Sequence, residues 1–487
     1  MKKSLLYLLL TGLILIACEK DDVGEDPKPV KNEDSELEVE EFVFRGMEEF
    51  YLYEADVPEF RSGYFKNDDE KQEFLASFAS PEDLFNHLTV PEDEFSYITD
   101  DYHALNDQFD GKSGATGIEY GIGGITNSNN IFGFITYILP GSSAEEEGLT
   151  RGTLFTEIDG TKLTMSNFVD LISQKSFEIT LAYIDRDGYL VTSDEKVTLE
   201  DRSYTANPVY LDTIYEYEGQ KIGYLMYNSF IANFDDELNA VFGEFKSQNI
   251  NHLILDLRYN GGGSVASAVS LASMVTGQFE GEIFMKEQWN EKYQTYFETY
   301  RPDYIYNYFD SEIRTGEAIN SLNLSEVYVI TGYQTASASE LIINGLRPYI
   351  KVVQVGETTT GKFQGSITLY DEPDLTSEDK ANPDHTYAMQ PLVFKTANAL
   401  GHSDYAEGLD PDLPLKEDIV NMGVLGDPSE RLLQATLDQI LGRQQMMRAM
   451  FHTTEKFEII GGKEMFDPKV QRMYSDKVPP LLSKSFE

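Results

Sequence analysis

Residues 326–366 read EVYVITGYQTASASELIINGLRPYIKVVQVGETTTGKFQGS. Val327, Tyr328, Val329 and Ile330 are a short run of β-branched and aromatic residues, the composition of a buried strand. Gly332 breaks the run, and the small, hydroxylated Thr335-Ala336-Ser337-Ala338-Ser339-Glu340 follows. Leu341, Ile342, Gly345 and Leu346 then recur at helical spacing, closed by Pro348. Strand, small-residue turn and helix together put a serine hydroxyl at a helix N-terminus, where free backbone N–H groups favour negative charge. A second apolar run, Lys351 to Val355, leads into a turn bracketed by Gly356 and Gly361, and Lys362 comes next. Taken alone, a serine at a helix head is a cap.

This stretch resembles the C-terminal processing (tail-specific) serine peptidases. Their nucleophile is the middle serine of S-A-S-A-S-E, and their general base is a lysine in a G-K turn 25 residues later. In this chain the middle serine is Ser337 and the lysine at the same separation is Lys362. Thr335 replaces the first serine of the motif. The family often has a glutamine four residues beyond the lysine; Ser366 stands there, and Gln364, two residues beyond, would share a strand face with the lysine. Either could orient the amine. The resemblance implies catalysis by Ser337, Lys362 and Gln364. It also implies an oxyanion hole built from Ala338 N–H and from Gly262 or Gly263 in Asp256-Leu257-Arg258-Tyr259-Asn260-Gly261-Gly262-Gly263. Glycine suits that place because the backbone can approach substrate closely. A lysine base needs its pKa brought from about 10.4 toward 7 or 8, which an apolar pocket can do.

The implied fold is multidomain α/β, with a small N-terminal helical domain, a PDZ-like β-rich domain and a crotonase/ClpP-like α/β catalytic core. Met1–Cys18 reads as a signal: two lysines, a short apolar core, and Leu15-Ile16-Ala17-Cys18, which looks like a lipobox. Cys18 is the only cysteine, so disulfides within the chain are excluded. Residues 19–35 are an acidic linker whose first residues resemble the surface-export signal of Bacteroidetes lipoproteins. Helical spacing at Val39–Tyr51 and Glu70–Ala79, and Ser80-Pro81 as cap and first helical residue, give a helical domain over 36–110. Residues 111–200 are glycine-rich and strand-rich, and 133–160 resembles a PDZ domain of bacterial proteases. Such a domain adds a peptide to its sheet edge and holds the terminal carboxylate in a backbone loop. Gly117, Ile118, Glu119 and Tyr120 are the candidates for that loop, and a β-rich spacer without ligand is the alternative. The catalytic domain spans 201–445, with a strand expected at Gly408–Asp412 and a helix after Glu430. Residues 446–487 are a tail with little pattern.

The chain carries 84 acidic and 38 basic residues, a net charge of −46, which falls to −48 once Lys2 and Lys3 leave with the signal. Such a charge repels nucleic acid, so no nucleic-acid partner is expected. Neither H-E-x-x-H nor a cysteine cluster occurs, so no metal and no cofactor are expected. Of the six histidines, His402 is the competitor for the base, while His87 and His103 read as structural. The expected function is a Ser-Lys endopeptidase acting on proteins or peptides through their C-termini. Its expected place is the bacterial cell envelope, lipid-anchored to the outer membrane, periplasmic or surface-exposed, touching membrane only through its lipid. The rivals are a non-catalytic PDZ-containing binding lipoprotein and, more remotely, an acyl-CoA enzyme of the crotonase type. If Cys18 carries the lipid, Cys18→Ala releases folded protein from membranes, read as loss of detergent-phase partitioning; unchanged partitioning would refute the anchor.

Overall fold

The apolar runs at 222–227, 253–257 and 327–330 lack polar alternation and must be covered on both faces. In the computed structural model they lie side by side in one sheet. The strands are, in spatial order, Val209–Tyr217, Gln220–Tyr227, His252–Asp256, Glu326–Thr331, Lys351–Gly356 and Leu413–Pro414. The first pair is antiparallel and the others run parallel. One face, with Tyr224, Ile254, Ile330 and Val355, is covered by Leu432, Leu433 and Leu437 of the helix Arg431–Ile440. On the other face Leu253, Leu255 and Val329 are fully buried. The structure describes residues 37–126, 128–443, 457–465, 470–477 and 479–482; Cys18, the signal and the acidic linker lie outside them.

The remaining strands form a mixed α/β arrangement around this sheet. Gly262–Ser264, Arg472–Tyr474, Gln364–Ser366, Leu392–Asn398, Ile283–Trp289 and Tyr306–Tyr308 make a second sheet. Trp289 in this sheet, and Tyr293 and Phe297 beside it, are buried. A β-rich body runs Ile118–Ile125, Ile131–Ile138, Leu154–Ile158, Ser176–Ile184 and Leu190–Glu200. Asp159 and Gly160, both at positive φ, close the tight turn after Ile158, as the Asp-Gly pair predicts. Phe457–Gly462 adds itself to the outer edge of this body.

Most expected helices form, and two expectations are corrected. The segment Glu70–Ala79 is helical only over Asp68–Leu75. Ser80 must be extended (φ −153, ψ 163) to cap Pro81–Leu88, and proline disfavours a helical residue before it, so the first helix has to end early. Gly408–Asp412 is not a strand; the strand is Leu413–Pro414. Gly408 has φ +85, Pro411 has no N–H for a ladder, and the Asp412 carboxylate accepts the Gln354 N–H at 2.8 Å instead. The N-terminal helical region is tied to the rest at two places: Tyr97–Thr99 pairs with Ala388–Gln390 in a small three-stranded sheet completed by Leu369–Tyr370, and Leu52 N–H donates to Leu392 O of the second sheet at 2.8 Å.

A buried ionic cluster joins these parts. Arg258 donates to Asp256 (2.9 and 2.7 Å), to Glu430 (2.9 and 3.1 Å) and to Glu417 (2.9 Å). Arg151 of the β-rich body reaches the same Glu417, which Tyr259 also donates to at 2.8 Å. Burial alone would raise the Glu417 pKa, but Arg151 and Arg258 hold it down to about 2. A carboxylate depressed in the fold stabilises above its unfolded pKa near 4.3 and loses that contribution as pH falls toward 2. Arg258→Met is therefore expected to cost about 3–5 kcal/mol in urea unfolding at neutral pH, the penalty for orphaning buried carboxylates. The gap to the parent should narrow as pH is lowered from 5 to 2; a constant gap would assign the loss to packing.

Candidate active site

Three neighbouring parallel strands, His252–Asp256, Glu326–Thr331 and Lys351–Gly356, send their C-terminal loops to one place, the end of a parallel sheet where ligands characteristically bind. The first loop brings Gly262, the second Ser337 and the third Lys362. Ser337 caps the helix Ala338–Leu346 with φ +65 and ψ −116, a conformation non-glycine residues rarely hold. It is fully buried, and its hydroxyl makes no hydrogen bond of ordinary geometry among the described residues.

Glu340 fixes the geometry. Its Oε2 accepts the N–H of Ser337 at 2.7 Å and the N–H of Lys362 at 2.9 Å; its Oε1 accepts Gly361 N–H at 2.7 Å and Thr359 Oγ1 at 2.5 Å. One carboxylate thus clamps the serine turn to the lysine turn. Burial raises the Glu340 pKa to about 7, against the opposing pull of these hydrogen bonds. The Lys362 amine is buried too, and desolvation brings it down to about 7. Phe95 lies 4.5 Å from the amine, ring to Nζ. The Phe95 loop is shaped by Asp93, which accepts the N–H groups of Phe95 and Ser96 and the Tyr51 hydroxyl. Nζ donates to the backbone carbonyl of Gln471 at 2.6 Å, and no hydrogen bond joins it to Ser337 Oγ.

The other expected residues divide. Gly262 (φ +107) packs flush on the serine: a Cβ there would lie 2.6 Å from Ser337 Cβ and 2.9 Å from Ala338 N, closer than atoms pack. Its own N–H, however, donates to Asn260 Oδ1 at 2.8 Å, so in this form it is turned into its loop. Gly263, at φ +140, meets Phe230 backbone where a Cβ would be. Ala338 opens the helix, so its N–H has no intrahelical carbonyl to bond. Neither orienting candidate touches the lysine amine. Gln364 donates to Tyr53 OH at 3.4 Å, and Ser366 Oγ donates to Gln390 Oε1 at 2.5 Å. His402 is exposed and bonded to Asn344, two helical turns from Ser337. In the β-rich body, Gly117 (φ +94) packs on Ser142, Ile118 starts the edge strand, and Tyr120 meets Phe168 edge-on. Glu119 pairs with Lys463 at 3.3 Å.

Sequence reading missed Glu340 as the clamp, although it lies inside the quoted motif. It missed Phe95 and Asp93, which reach the site only through tertiary packing. It also missed Gln471 and Arg472, because Val470-Gln471-Arg472-Met473-Tyr474 carries no polar–apolar alternation that would mark a strand.

A helix-borne serine at the carboxyl end of a parallel sheet, clamped to a buried lysine, is the class this fold and site define. The model for Peptidase family S41 matches residues 221–390, which include Gly262, Ser337 and Lys362, and the Peptidase S41 N-terminal domain matches residues 38–97. The chain is 26% identical over 305 residues to a carboxyl-terminal-processing protease of Picosynechococcus sp., covering 62% of this chain and 64% of that protein. It is 23% identical over 377 residues to the one of Synechocystis sp., covering 76% of each. A solved structure from Bacteroides fragilis NCTC 9343, assigned to the S41 proteases, superposes with a TM-score of 0.64 at 26% identity, covering 83% of this chain and 98% of that one. Over residues 221–390 the chain is thus similar to peptidase family S41, and over residues 38–97 to the N-terminal domain of that family.

The buried amine has a measurable consequence apart from activity. The folded pKa of Lys362 lies below the unfolded value near 10.4, so the fold is penalised for charge there at pH below about 7. That penalty fades as pH rises from 7 to 10. Lys362→Met should accordingly melt above the parent at pH 6, with the difference shrinking toward pH 10; a difference independent of pH would mean the amine is not buried as a base.

Proposed function

We propose that this chain is a serine endopeptidase of the C-terminal processing type, with Ser337 as nucleophile and Lys362 as general base. The observation that carries this reading is the single Glu340 oxygen holding both backbones, beside an amine whose pKa burial brings to about 7. The neutral amine takes the Ser337 proton as Oγ attacks a peptide carbonyl carbon. Ala338 N–H, with Gly262 or Gly263 once turned outward, would hold the oxyanion. The lysine ammonium then gives its proton to the leaving amine, and water releases the acyl group. In the form described, Nζ must first leave the Gln471 carbonyl.

Residues 111–200 act in this reading as a PDZ-like module. An extended substrate would add to the edge strand Ile118–Ile125, with its terminal carboxylate toward Gly117–Tyr120. Named as carboxyl-terminal-processing proteases, the relatives support protein substrates. Lipid anchoring at Cys18, in the cell envelope, belongs to the same proposal and rests on the sequence of the leader.

The test is turnover of a quenched peptide with a free apolar C-terminus. Arginine keeps the charge of Lys362 but cannot be deprotonated in a protein. Ser337→Ala and Lys362→Arg should both lose roughly a thousandfold or more, as members of one catalytic unit do. His402→Ala should stay within about tenfold of the parent. For the parent, kcat/KM should rise with pH through about 7, as the lysine sheds its proton. Amidating the peptide should slow cleavage. Substantial activity in Lys362→Arg would remove the lysine from the base role.

A further inference from the structure

Residues 457–465 and 470–477 lie along two surfaces that an extended substrate would need. In the first part, Phe457–Gly462 runs antiparallel along the edge strand of the β-rich body, with Phe457 opposite Ile125, Ile459 opposite Gly123 and Gly462 opposite Gly121. Lys463 then pairs with Glu119, and Tyr333, in the turn before Ser337, donates to Gly461 O at 3.2 Å. Beyond Gly121 the edge continues into a cavity of about 440 Å³ lined by Thr116, Ile118, Tyr120, Val169, Ile172 and Lys463.

The second part enters the active site. Arg472–Tyr474 lies between Gly262–Ser264 and Gln364–Ser366, parallel to both. Arg472 N–H donates to Gly261 O at 3.1 Å, and Ser475 N–H to Ser366 O at 3.0 Å. The point 2.6 Å from Ser337 Cβ where a Gly262 Cβ would stand is also 2.3 Å from the Arg472 carbonyl oxygen. The preceding carbonyl, of Gln471, holds the Lys362 amine, and the Gln471 side chain donates to Thr360 Oγ1 at 3.0 Å.

We propose that residues 457–465 and 470–477 are two parts of a built-in plug: the first fills the edge of the β-rich body and the second lies beside Ser337, both on the track of an extended peptide, and the enzyme is latent until they are displaced. The proposal rests on the peptidase reading. The physical argument is competition for one set of hydrogen-bonding groups. The edge of Ile118–Ile125 and the edge of Gly262–Ser264 can each pair with a single strand on that side, so substrate and segment exclude one another. While the Gln471 carbonyl holds Nζ, the Ser337 hydroxyl has no acceptor for its proton. The lowered Lys362 pKa, to which the nearby Arg472 cation contributes after burial, accords with an amine kept neutral and waiting. The unplugged fraction of molecules then sets the apparent affinity for substrate.

The experiment uses the full chain in a Cys18→Ser background. A lock is made by Gly124→Cys with Glu458→Cys, register partners in an antiparallel pair and so within disulfide reach. A release is made by Arg472→Pro, which removes the N–H donated to Gly261. A fluorescein-labelled peptide of residues 457–477 is titrated by anisotropy into each form carrying Ser337→Ala, so that binding is read without turnover. The release variant should bind the peptide at least tenfold tighter than the oxidised lock, and reducing the lock should restore binding to the parent level. With Ser337 intact, the oxidised lock should cut a quenched peptide at least tenfold more slowly than its reduced form, and the release variant faster than the parent. Equal peptide affinity in locked and reduced forms, or equal turnover, would overturn the plug. If Arg472→Pro fails to melt cooperatively, the oxidised-against-reduced comparison decides alone. Absence of turnover in every form, with binding still controlled by the lock, would refute the peptidase reading and leave the plug standing.

Discussion

Everything at the site depends on one buried carboxylate. Glu340 takes N–H groups from Ser337, Gly361 and Lys362, which belong to loops after two different strands. Each of those amides would otherwise be a buried, unpaired donor, at a penalty of about 1–3 kcal/mol apiece. A single side chain therefore satisfies three backbone donors and sets the separation of serine and lysine at the same time. It also explains why the serine tolerates positive φ: the surrounding bonds over-determine the turn.

A second buried cluster sets where that site sits in the molecule. Arg258, on the loop that leads to Gly262, binds carboxylates from its own strand, from the segment at Glu417 and from the helix cap at Glu430. Through Glu417 it meets Arg151 of the β-rich body. The Asp-Leu-Arg sequence, which precedes the glycines, thus acts as a structural anchor, and the glycines after it supply the close approach to Ser337. The two functions are adjacent because a buried guanidinium fixes the start of the loop while glycine lets its end lie against the helix head.

The lysine pocket is assembled from distant parts of the chain. Phe95, on a loop shaped by Asp93, comes from the N-terminal helical region, and Gln471 from the far end of the sequence. Burial is what lowers the amine's pKa, against the opposing pull of the Asp93 charge, so the chemistry of Lys362 is a property of the whole packing.

The sequence by itself determined the strands and helices that carry the site, because buried parallel strands are nearly continuous apolar runs and the helix after Ser337 has clear periodicity. It also determined the serine and lysine as a pair, since their separation and flanking residues form a recognisable motif. Tertiary structure alone decided which neighbours complete them. Glu340 is a cap residue in sequence and becomes a clamp only because Gly361 and Lys362, 21 and 22 residues later, fold over it. Gln364 shares an expected strand face with the lysine, yet the amine bonds elsewhere, since a carbonyl from residue 471 lies within its reach. Residues 457–465 and 470–477 show no alternation long enough to be read as strands. Their pairing is dictated by open sheet edges on the rest of the fold, and an edge exists only once the sheet has formed.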